Sequence, residues 1–218
     1  VIAKMLGLPE SDGDRFRGFI HRIIEDPGGD HQVEPEETLD FYLKDQIARR
    51  RADPRAADDP DADLIDYLIS VDIEGHPLLD EHVSGSIALL LIAGSDTTWS
   101  AIGASLWHLA RHPEDRRRYR EDPDVRPFAI EELLRLHAPV TMARVSTTDH
   151  ELGGCPVRAG DWVLLPFPAA NRDPEVFERA DEMVIDRKQN RHAAFGLGVH
   201  RCLGSNLARM ELRVAIDT

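Results

Sequence analysis

Apolar residues recur at three- and four-residue intervals through most of the first half of the chain, with good helix formers between them. That spacing predicts amphipathic helices. The stretch "EPEETLDFYLKDQIARRR" runs from acids to arginines, the charge order that suits a helix dipole, and Arg49, Arg50 and Arg51 read as its solvated end. "ADPRAADDPDAD", Ala52 to Asp63, is acidic and proline-punctuated and predicts a linking loop before a short helix, "LIDYLIS". A long helix follows from about Asp80, with Val83, Ile87, Leu90, Gly94 and Thr97 on one stripe, and Pro113 ends it. Two more helices are expected: "PEDRRRYRED", with solvent-facing arginines, and "VRPFAIEELLRLH", which closes before Pro139.

Beyond Pro139 the pattern changes. "ARVSTTDHELGGCPVRAGDWVLLPF" has β-branched runs broken by Gly153-Gly154 and Ala159-Gly160-Asp161, so short strands and turns are expected. Residues Asn171 to Arg191 read as irregular. A last helix then carries an apolar stripe of Leu203, Leu207, Met210 and Val214. The fold class is mainly α with a small β component, in one domain over residues 1–218.

Composition narrows the function classes. Acids outnumber bases 40 to 26 in 218 residues, and the net charge of -14 argues against a nonspecific nucleic-acid binder or a polybasic membrane-surface protein. The two cysteines, Cys155 and Cys202, have no paired spacing. They suggest neither a disulfide scaffold nor a cysteine-rich zinc site, and fit a reducing, cytoplasmic setting. The longest apolar run, "IALLLIAG", is shorter than the ~20 residues of a membrane helix, so no membrane segment is expected. Val1 lies inside an apolar pattern and Thr218 inside a helical one, which reads as a piece of a longer protein.

Candidate chemistry concentrates in "AAFGLGVHRCLGSNLARMEL", Ala193 to Leu212. Cys202 stands at the expected start of the last helix, where backbone N–H groups favour a negative sulfur. Gly196, Gly198 and Gly204 let the backbone turn tightly and approach the sulfur or a flat ligand closely. One thiolate on such a turn suits haem iron better than zinc, which needs further ligands close by. The simpler alternative makes Cys202 a small buried apolar residue. Cys155 lacks the surrounding pattern and reads as structural.

The pattern Phe195-Gly-x-Gly-x-His-x-Cys-x-Gly204 resembles the haem-binding loop of the cytochrome P450 family. Three further segments agree with that resemblance. "EELLR" matches the family's ExxR motif, implying that Glu132 and Arg135 form a buried structural ion pair. "AGSDTT", Ala93 to Thr98, looks like the oxygen-activation motif, implying that Asp96 and Thr97 relay protons, with Gly94 and Thr97 opening a groove in the long helix. Arg144 and His200 match contacts to the haem propionates. The family's third ExxR partner is an arginine, but the spacing places Glu182 there, and Arg179 is the other candidate to complete the network. Leu89, Ile92, Ala93, Val140 and Thr141 match positions lining the substrate pocket.

The resemblance implies the carboxy-terminal half of a P450 fold holding haem b (iron protoporphyrin IX), with Cys202 as the iron ligand. It further implies a monooxygenase that takes dioxygen, a small apolar organic substrate and electrons from a ferredoxin or flavin reductase. The closest likeness is to bacterial members, including those fused to their own reductase. Two alternatives remain open. A peroxide-driven relative tends to replace the acid-alcohol pair with arginine and proline, and a haem sensor or redox carrier needs no proton relay.

Overall fold

In a computed structural model of the chain, residues 1–26, 33–56 and 59–218 are described. The chain divides into two compact units, Val1–Asp96 and Thr97–Thr218. Within the first are helices α1 (Ile2–Met5), α2 (Gly13–Ile20, continuing as a π-helical turn), α3 (Leu39–Ala52) and α4 (Leu64–Ser70). A minimal hairpin of β1 (Asp72–Ile73) and β2 (His76–Pro77) follows, leading into α5 (Asp80–Arg111). The core of this unit gathers Leu6, Phe19, Leu43, Ile47, Ile65, Val83, Ile87 and Leu91, with Phe16 edge-on to Tyr42 at 5.7 Å.

Local chemistry sets the helix starts as the sequence suggests. Thr38 Oγ1 accepts from Phe41 N–H at 3.2 Å to cap α3, and Asp63 with Asp66 forms a reciprocal capping box on α4. The described part of the linking loop lies between these helices, while Ala57 and Asp58 fall outside the described residues.

Contrary to the charge pattern, Arg50 is not part of a solvated helix end. Its side chain is only 13% exposed, lies 2.7 Å from Asp63 Oδ2, and donates to the carbonyls of Leu6 and Gly7. The carboxylate that caps α4 is also the arginine's partner, which ties α3 to α4 through a desolvated charge pair.

Helix α5 is continuous through Gly94 and Thr97. A Cβ on Gly94 would lie 2.7 Å from Ile2 Cδ1, so the glycine seats Ile2 against the helix. That close approach is what the missing side chain permits. By length and composition α5 can cross a membrane, its most apolar 18-residue window having a mean hydropathy of 1.3, so the short apolar run understated it. Val83, Ile87 and Leu91 nevertheless pack into the first unit's core and Ala101 into that of the second.

The second unit adds α6 (Pro113–Glu121), α7 (Arg126–Leu136), α8 (Phe167–Ala170) and α9 (Ser205–Asp217). Strands β3 (Thr141–Val145) and β6 (Trp162–Pro166) pair antiparallel, with Arg144 opposite Val163. A hairpin of β4 (His150–Leu152) and β5 (Cys155–Val157) turns on Gly153 and Gly154, both at positive φ. The expected small sheet content and the irregular stretch from Asn171 to Arg191 are both observed.

The stripe expected on α9 is not the buried one. Leu203, Met210 and Val214 are exposed, whereas Leu212 is buried and Ile216 packs with it against Ala129, Ile130 and Leu134. Apolar side chains occur on more than one side of α9. Spacing alone therefore did not reveal which side faces the unit's core.

Candidate haem-thiolate site

The cysteine loop is shaped by its own backbone. Cys202 N–H donates to Phe195 C=O at 2.8 Å and Gly196 N–H to Ala193 C=O at 2.8 Å, closing the loop upon itself. Gly196 and Gly198 have φ of 66° and 71°, the left-handed region that glycine tolerates best. Gly204 instead has an ordinary φ of -80°, and a Cβ there would stand 3.9 Å from Cys202 Sγ. Its lack of a side chain keeps the space beside the sulfur clear. Helix α9 begins at Ser205, so Cys202 precedes the cap residue Gly204 by two positions instead of opening the helix itself.

The thiol is free and exposed, which sets aside a cysteine buried among hydrocarbon neighbours. Val199 and Leu203 on the same loop are 96% and 93% exposed, and Leu197 is exposed as well. Apolar side chains held open around a sulfur suit a flat, largely apolar ligand that would cover them. The loop therefore fits the porphyrin implied by its sequence.

Two ion-pair clusters fasten the segments around this loop. Glu132 and Arg135 are both 0% exposed and form a bidentate pair at 2.8 and 2.9 Å, as the ExxR motif implied. Arg135 also donates to the carbonyls of Asn171 (2.7 Å), Ala180 (2.6 Å) and Glu182 (2.8 Å), fixing the irregular segment to α7. The third partner is Arg187, whose Nε lies 3.0 Å from both Glu132 oxygens. Neither Glu182 nor Arg179 takes that place. Their side chains pair with each other at the surface at 2.6 Å, while Glu182 contributes only its carbonyl to the network. The turns between Ala180 and Arg187 bring the later arginine in, and their geometry is not readable from residue counts. Asn190 Nδ2 and Val184 N–H complete the shell of the carboxylate. Burial opposes the charge on Glu132, but the bonds from Arg135, Val184 and Arg187 outweigh it and hold its pKa below the usual range.

Glu131, the neighbouring acid, is a positioning residue that the sequence reading missed. Its carboxylate accepts from His192 Nε2 at 3.0 Å and from Arg209 Nε at 2.6 Å and Nη2 at 2.9 Å. Arg209 in turn lies over the Phe195 ring, 4.6 Å from its centroid. Helix α7, the entry to the cysteine loop and α9 are thereby joined at one carboxylate. Burial raises the pKa of Glu131, yet the hydrogen bonds from His192 and Arg209 bring it down to about 2. The doubled acid of "EELLR" was the only signal in the sequence. Asn171 makes a further link, accepting from Ala193 N–H at 2.7 Å and donating to Arg135 C=O at 3.2 Å.

Arg144 is exposed on β3 and donates to Ala143 C=O at 2.9 Å, and His200 is exposed at the end of the short 3-10 turn Gly198–His200. Phe195 is half-buried. Asp96 and Thr97 are consecutive and half-buried on α5. Of the pocket candidates, Leu89 and Ala93 are exposed and Ile92 packs against the core of the first unit. Val140, half-buried, and Thr141, exposed, lead into β3 in the second.

Comparison with known proteins agrees with this geometry. The family model "Cytochrome P450" matches residues 21–126 and 127–218. A cytochrome P450 of Bacillus subtilis is 36% identical over 100% of this chain and 53% of its own length. The vitamin D(3) 25-hydroxylase of Pseudonocardia autotrophica is 37% identical over 99% of this chain and 53% of its own. The crystal structure of CYP109E1 from Bacillus megaterium in complex with testosterone superposes with a TM-score of 0.84 at 34% identity. It covers 99% of this chain, which spans 58% of that one. P450BioI in complex with an acyl carrier protein ligated to hexadec-9Z-enoic acid gives 0.85 at 34% identity, over 99% and 56%. The chain thus spans about half the length of the curated relatives it matches. With its ExxR pair buried and its cysteine loop open, the chain belongs to the cytochrome P450 family, whose cofactor is haem.

Proposed function

We propose that this chain supplies the haem-thiolate part of a bacterial monooxygenase that inserts one atom of dioxygen into a small apolar organic substrate. The observation that carries this is the exposed Cys202 thiol, presented on a left-handed glycine loop that Glu131 and Asn171 fasten to α7 and α9. Cys202 would ligate the iron of haem b, while Arg144 and His200 would meet its propionates, the arginine fork suiting a carboxylate. Gly196, Gly198 and Gly204 would leave room for the ring, while Arg209 lies over Phe195 at the start of the loop. A haem held by the Cys202 thiolate would supply the oxygen chemistry, one atom of dioxygen going to the substrate and the other, with two electrons from the reductase and two protons, to water.

The chain's own residues manage protons and binding. Asp96 at its carboxylate and Thr97 at Oγ1 would pass protons inward, a relay that needs both a carboxylate and a hydroxyl. Leu89, Ile92, Ala93, Val140 and Thr141 would contribute an apolar lining. Electrons would come from a ferredoxin or flavin reductase, with the exposed Arg116 and Arg201 offering positive charge to an acidic donor. A soluble, cytoplasmic protein fits these partners. Retention of Asp96 and Thr97 favours the reductase route over a peroxide-driven one, and over a haem sensor or carrier. Turnover of the complete enzyme with a reductase, and separately with hydrogen peroxide, tests the choice: product formed with peroxide but none with the reductase refutes it.

A further inference from the structure

The junction of α5 and α6 assembles a cluster outside the haem loop and outside both ion-pair networks. His108 and His112 stand one turn apart on α5 and just beyond its end, so their side chains share a face, and the rings stack at 4.1 Å. Because α6 starts at once with Pro113, Asp115 in its first turn returns to the same place, its Oδ2 2.9 Å from His108 Nε2. One ligand atom from each of the three residues lies within 4.8 Å of the others.

The second ring nitrogens are already engaged. His112 Nδ1 donates to His108 C=O at 2.9 Å, and His108 Nδ1 lies 3.2 Å from His137 Nε2. Metal-ligating histidines are commonly held in this way: a bond at one nitrogen fixes the ring and leaves the other to the ion. His108 and His137 are buried and half-buried, whereas His112 is exposed and gives an ion a way in.

We propose that His108 Nε2, His112 Nε2 and the Asp115 carboxylate form a binding site for a divalent ion of the zinc class, the exposed His112 ring turning out of its stack on His108 to face the ion and solvent completing the coordination. Two imidazoles and a carboxylate match the nitrogen and oxygen set that zinc takes, and are poor in the oxygen ligands that calcium and magnesium require. Binding would bridge the end of α5 to the first turn of α6 and stiffen that corner. The inference does not depend on haem or on turnover.

The test is a calorimetric titration of the purified full chain with zinc chloride, paired with its thermal transition and with the visible absorption of bound cobalt(II) as a probe of coordination. One ion per chain is expected, raising the transition temperature. His112→Ala removes an exposed ligand and Asp115→Asn a half-buried one; each should leave the helical circular dichroism unchanged and weaken zinc binding at least ~10-fold. His108 is buried, so its replacement is avoided. The proposal is overturned if the chain binds no zinc, or if affinity, thermal shift and cobalt spectrum persist in both variants, which would place the ion elsewhere.

Discussion

Replacing Glu131 by Gln probes the clamp on the cysteine loop, because the side chain keeps its size while it loses its charge and exchanges one acceptor oxygen for an NH2 donor. In the native chain the carboxylate holds His192 and both donating nitrogens of Arg209, and its side chain is 29% exposed, so solvent screens it only in part. Its pKa falls from 4.5 to about 2 because the bonds from His192 and Arg209 overcome the cost of burial. At 1.36 kcal/mol per unit, that depression corresponds to about 3 kcal/mol of stability at neutral pH. The sign follows from proton uptake. Between about 4.5 and about 2 the unfolded chain binds the proton more readily, so the contribution is complete above the unfolded value and drains away as pH falls toward the folded one. Urea unfolding of both proteins should show the Gln variant less stable by about 2–3 kcal/mol near pH 7, with roughly half that gap near pH 3. A gap below ~0.5 kcal/mol near neutrality, or one of equal size at both pH values, refutes the clamp.

Other replacements separate the remaining roles. Glu132→Ala leaves Arg135 buried without its carboxylate and should cost about 3–5 kcal/mol in urea unfolding. Arg187→Ala, which removes the third partner, should cost about 1–3 kcal/mol, whereas Arg179→Ala at the surface should stay within ~0.5 kcal/mol. Equal effects of the two arginines would contradict the assignment of Arg187. Gly198→Ala meets no neighbour within 4 Å, so its cost, about 1 kcal/mol, should come from the positive φ alone, accompanied by poorer haem retention in absorbance titrations. Thr97→Ala in the complete enzyme should raise electron consumption per product formed while leaving haem content intact; unchanged coupling would remove Thr97 from proton delivery.

Much of this architecture was legible in local pattern. The start of α5 at Asp80, the short α4 behind its acidic linker and the close of α7 before Pro139 all follow from period, caps and breakers acting within a few residues. The pairing of Glu132 with Arg135 was legible too, since it spans one turn. What escaped depends on distant segments meeting. Arg187 reaches Glu132 across 55 residues and Arg209 reaches Glu131 across 78, through an irregular stretch whose turns no periodicity encodes. Arg50 was misjudged for the same reason, its partner Asp63 lying beyond a loop. On α9 the pattern marked apolar positions correctly but not the side that Leu212 turns inward.

The central claim is the bond between Cys202 and haem iron. It is tested most directly by reconstituting the Cys202→Ser variant alongside the native protein, reducing both and recording the carbon monoxide difference spectrum. The native protein should give the red-shifted Soret band of a thiolate-ligated haem and the variant should lose it while its fold persists; an unchanged band in the variant would contradict the assignment.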